Sequence, residues 1–158
     1  MSQDASAVDI WTFVLRLWKR QGVERAALVL QDQHGVSVCL VLAALWLAAR
    51  DVTPAPQLAA RLAETADEWE RQRIAPLRAL RREAARRPAW GDWKRSLSDA
   101  ELEAERLLLR ELATLADEFP VALGQGHAEA WLLLVLPEAA QCESLTRALG
   151  LLREACEG

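Results

Sequence analysis

The sequence predicts an all-α fold, a compact array of six to eight helices around one buried apolar helix. Three observations lead there. The 158-residue chain is rich in Ala, Leu, Glu and Arg, all good helix formers, with only seven Gly and six Pro. Tyr is absent and β-branched residues are sparse beyond position 55, which argues against a sheet. Apolar residues recur at three- and four-residue spacing along most of the chain. A hydrophobic fraction of 52% excludes disorder for most of it. At this length one domain buries a core unaided, so the expected organisation is a loose tail at 1–8 and a single helical domain at 9–158.

Asp9 is placed to cap a first helix running to about Arg20, with Ile10, Phe13, Val14 and Leu17 on one face. Gly22 breaks it. A second helix should span Val23 to His34, presenting Val23, Ala27, Leu28 and Leu30 inward, with Gly35 as a left-handed terminator. The third, about Val36 to Arg50, is apolar on every side and therefore the central post. Trp11, Trp18, Trp46 and Trp131 lie in apolar helices and are expected in the core. Pro54 and Pro56 make a loop. A fourth helix is expected from Gln57 to about Glu64, and a fifth from Ala66 to Arg86, kinked or restarted at Pro76. In that fifth helix Leu77 and Leu80 should face the core.

Residues 87–95 read as a connector. Ser98 and Glu101 have capping-box spacing, so a sixth helix should start there and run to about Glu118. Leu102, Leu108, Leu109, Leu112, Leu115 and Ala116 would share its inner face. A loop at 119–126, a short apolar segment at 128–136 (helix or strand) ended by Pro137, and a last helix to about Ala155 complete the chain.

Charge narrows the function classes. Residues 71–95 carry nine Arg or Lys against two acids, while residues 96–158 carry twelve acids against four Arg. At 100° per residue Arg71, Arg78, Arg82 and Arg86 form a row able to grip phosphates, provided Pro76 does not reset the phase. A chain of net charge −4 can pair that row internally, so nucleic acid is not the expected partner. Glu64, Asp67 and Glu68 have helical spacing but no second acidic motif to face, and read as a solvated surface. Cys39, Cys142 and Cys156 form no short-spaced pair, which predicts reduced thiols, no metal centre and a cytoplasmic setting. The start, MSQDASAVD, lacks an apolar leader, and the apolar run at 36–49 is too short to span a bilayer, so no membrane association is expected.

Two further clusters stand out. Gln31, Asp32 and His34 precede Gly35 in a polar turn between apolar helices. A His at a helix C-terminus is electrostatically favoured there, which supplies a structural role; Asp32 orienting His34 for proton transfer is the enzymatic alternative. Arg87, Trp90, Trp93 and Arg95 put two large rings among cations in the connector, the chemistry of a protein-contact surface.

Trp11, the stretch LVLQDQHGVSVCLVLAALWLA (28–48), and Trp69 with IAPLRALRR (74–82) resemble a small proteobacterial family of conserved hypothetical proteins carrying a domain of unknown function. The likeness covers roughly residues 9–115, through QD-x-HG and PLR-x-LR. It implies a fold and a bacterial cytoplasmic setting, with Asp and Asn usual at the positions of Ser37 and Cys39, and it implies no activity. The expected function is therefore a non-enzymatic interaction or regulatory protein with a protein partner or a second copy of itself, without catalytic residues or cofactor. An RNA- or phosphate-binding protein using 71–95 comes second, and an enzyme acting through Asp32 and His34 third.

Overall fold

The computed structural model describes residues 9–124, 127–136 and 143–157. The expected tail at 1–8, Gly126, Pro137 and Cys142 lie outside them. The described residues form an all-α array: α1 (Ile10–Trp18), α2 (Val23–His34), α3 (Val38–Ala49), α4 (Pro56–Trp69), α5 (Ala75–Ala85), α6 (Gly91–Glu118), α7 (Ala128–Val135) and α8 (Glu143–Glu157). A π-helical turn, Glu70–Ile74, joins α4 to α5, and a 3-10 turn, Pro88–Trp90, leads into α6.

Helix α3 is the post. Every residue from Cys39 to Ala48 is buried, and α1, α2, α4, α6, α7 and α8 all pack on it. The entry to α3 is local chemistry. Gly35 takes φ +61° and Val36 N–H donates to the Leu30 carbonyl at 3.1 Å, which ends α2; the Ser37 hydroxyl then accepts from Leu40 N–H at 3.3 Å and starts α3. Asp9 caps α1 through Thr12 N–H at 3.4 Å. The segment at 128–135 is helix, anchored where the Trp131 indole N–H donates to the Val52 carbonyl at 2.8 Å.

Several expectations need correction. The fourth and fifth helices are one continuous helical path, because the π turn absorbs Pro76. A proline ring clashes with the carbonyl four residues before it and offers no N–H, and widening that turn relieves both. Helix α6 starts at Gly91, so Ser98 is no cap; it lies within the helix, its hydroxyl donating back to the Lys94 carbonyl at 3.0 Å. Leu28, Leu80 and Leu102, all expected inside, are exposed, whereas Arg78, expected outside, is buried. Trp46 and Trp131 are core, but Trp11 and Trp18 are only partly buried.

Candidate functional site: an apolar pocket with a charged floor

The π turn decides which arginine goes inside. One extra residue in a turn rotates the following helix by roughly 100° relative to the preceding one. Arg71 consequently stays in solvent, bonded to Asp67 at 2.9 Å, while Arg78 turns toward α6. There its Nε donates to Glu101 at 3.2 Å and its Nη1 to Glu70 at 2.6 Å; the Arg81 Nε reaches the other Glu101 oxygen at 2.5 Å. Arg78 is 9% exposed and Glu101 8%, so the cluster is a buried joint between α5 and α6. Burial alone would lower the Arg78 guanidinium pKa, but hydrogen bonds and charge from Glu70 and Glu101 outweigh it and raise it.

Beside this joint lies a pocket of about 260 Å³. Helix α1 contributes Trp11, Val14, Leu15 and Trp18; α2 contributes Ala27, Leu28 and Gln31. Helix α3 supplies Val38, Cys39 and Leu42, and α6 supplies Leu102, Glu105 and Leu109. Arg81 and Glu101 form its charged end. Leu15, Leu28 and Leu102 are 45%, 46% and 52% exposed and ring the mouth. Apolar walls converging on a few polar groups are the usual anatomy of a binding pocket.

Glu105 is the unusual member. Among the described residues no hydrogen bond or ion pair reaches its carboxyl, which is half-buried in the pocket wall. Burial first, then the charge of Glu101, pushes its pKa up to about 7; Glu70 adds to the rise, while Arg78 and Arg81 oppose it. Across from it Cys39 donates its thiol to the Glu105 backbone carbonyl at 3.8 Å. Burial, Glu105 and Glu70 hold that thiol well above its ordinary value, against a smaller pull from Arg78, so it is not an activated nucleophile.

The structure separates the residues singled out from sequence. Gln31 lines the pocket; Asp32 faces away, accepting from Arg82 at 2.8 Å, and His34 is half-buried in the last turn of α2. Asp32 and His34 do not line the pocket. The arginines do not form one free face: Arg71 and Arg82 are exposed and paired, Arg78 is buried, and Arg86 is exposed. Trp90 and Trp93 meet edge to face at 5.5 Å, with Arg87 4.2 Å over the Trp90 ring and Arg95 3.6 Å from Asp92. Trp93 is 44% exposed, and neither ring belongs to the core.

Cys39, Glu101 and Glu105 were not legible as site residues. One signal existed: Glu101 falls in phase with Leu97, Ala104, Leu108 and Leu112, an acid on the buried stripe of a helix.

Among the described residues no three His, Cys, Asp or Glu side chains are grouped to hold a metal, and no helix is long and apolar enough to cross a membrane. No curated protein and no solved structure matches the chain significantly. A family model described as "Protein of unknown function (DUF2390)" matches residues 9–112, the span that holds every residue of the pocket and of its charged floor, and the chain belongs to that family.

Proposed function

We propose that this protein is a non-enzymatic interaction or regulatory protein of the bacterial cytoplasm, with the pocket between α1, α2, α3 and α6 as its recognition site. The observation that carries the reading is the convergence of five helices, with apolar walls from α1, α2, α3 and α6 and Arg81 from α5, on one pocket with an exposed leucine mouth. The floor groups are committed to one another as ion pairs and the neighbouring thiol is held protonated, which suits holding a ligand better than transforming it. Fragment titration followed by nitrogen-15 NMR tests it. Apolar fragments should move the Trp11 and Trp18 indole N–H signals together and be recovered unchanged. Shifts scattered over the surface, or turnover of a fragment, would contradict the reading.

A second surface is favoured by a separate observation. The Arg87, Trp90, Trp93 and Arg95 group presents aromatic area outside the core, the composition of a contact hot spot for a protein partner or a second copy. The phosphate-binding alternative through Arg71, Arg78, Arg82 and Arg86 draws less support, since three of the four are paired with carboxylates.

A further inference from the structure

We propose that the pocket binds a small amphipathic cation, an apolar body carrying one protonated amine, with the ammonium group seated on Glu105. The inference rests on the pocket reading above and adds the chemical class of the ligand.

Charge balance points there. Arg78 and Arg81 are matched by Glu70 and Glu101, and each of these four groups has a direct partner. Glu105 is the third carboxyl beside two guanidiniums and has no such partner among the described residues. A neutral apolar guest would seal it in without a partner, which is costly for a buried polar group. An anionic guest would meet two carboxylates at the lining, with the Arg81 charge already bonded to Glu101. An ammonium group instead supplies donors and the missing positive charge.

The walls agree. Trp11 and Trp18 line the pocket, and indole rings attract organic cations. Trp11 already takes one cation, the Arg106 guanidinium, 5.4 Å from its ring centre. Size agrees: a cavity of about 150 Å³ takes one benzene ring, so a pocket of about 260 Å³ has room for a ring carrying a short amine arm.

Binding should depend on pH through Glu105. The charged groups facing it are Glu101 on its own helix, Arg78 and Arg81 on α5 and Glu70 on the π turn, with the Cys39 thiol on α3. The carboxyl loses its proton near pH 7, while a primary alkylamine stays protonated up to about pH 10. Affinity for the cation should therefore rise from pH 6 to pH 8 and then level off.

The test is a titration of the full chain with 2-phenylethylamine, 2-phenylethanol and phenylacetate, read at the Trp indole signals. At pH 8 the amine should bind about tenfold more tightly than either analogue, as expected for one charge-assisted hydrogen bond. That preference should shrink below pH 7 in the wild type, a readout that needs no variant, and should vanish in Glu105→Gln. Equal binding of all three compounds, or a preference independent of pH, overturns the cation assignment and leaves the pocket reading intact. No shift of Trp11 and Trp18 with any of them overturns both.

Discussion

Arg78 and Glu101, twenty-three positions apart and on different helices, form a buried ion pair at 3.2 Å that ties α5 to α6. The pair depends on the π turn ahead of Pro76, which sets the phase of α5 so that Arg78 faces inward. Glu101 has a second guanidinium, Arg81, so removing Arg78 leaves Glu70 short of its partner and Glu101 half-satisfied.

Arg78→Ala should accordingly destabilise the fold by about 3 kcal/mol, the usual cost of stranding a buried charge. Urea denaturation checks it. A loss below about 0.5 kcal/mol, typical of an exposed pair, would mean the joint is open to water.

Trp131→Phe keeps most of the ring volume but removes the indole donor to the Val52 carbonyl. The expected loss is about 2 kcal/mol, from an unpaired buried acceptor and the smaller ring. Trp46→Ala, in the central helix, should cost roughly 3–5 kcal/mol. Thermal melts of the two variants compare these values.

The Glu105 carboxyl links stability to pH. Its folded pKa lies above the ordinary value, so between about pH 4.5 and 7 the folded state holds more protons than the unfolded chain. Stability must then fall as pH rises through that window, by an amount on the order of 1–3 kcal/mol if nothing else titrates differently. Glu105→Gln should remove the slope and be the more stable protein at pH 8. A wild-type curve that rises over the same window, with the variant parallel to it, would contradict this.

The double substitution Trp90→Ala, Trp93→Ala removes two rings that lie outside the core. Its melting temperature should stay within a few degrees of wild type. Loss of self-association or partner recovery with that unchanged melt supports a contact surface; a large drop in the melt would make the rings structural.

Helix existence was legible because periodicity, glycine and capping residues are local signals. Gly22, Gly35 and Asp9 each act where the sequence places them. The site was not, for two physical reasons. Apolar periodicity cannot separate a core wall from a pocket mouth, so Leu28 and Leu102 read as buried when they ring an opening. Nor does spacing say which guanidinium meets which carboxylate, or that a π turn will rotate one arginine inward and leave another in water. The Ser98–Glu101 spacing shows the converse failure: a capping motif inside a helix that starts seven residues earlier caps nothing, and its acid serves the core instead.

The Glu105 carboxyl is uncommitted and partly desolvated in the lining of an apolar pocket. Carbon-13 NMR titration of the Glu105 side chain, assigned by difference with Glu105→Gln, measures it directly. The structure predicts a midpoint of about 7. A midpoint near 4.3, the value of a glutamate in water, would mean that the carboxyl is solvated and the pocket is not closed around it.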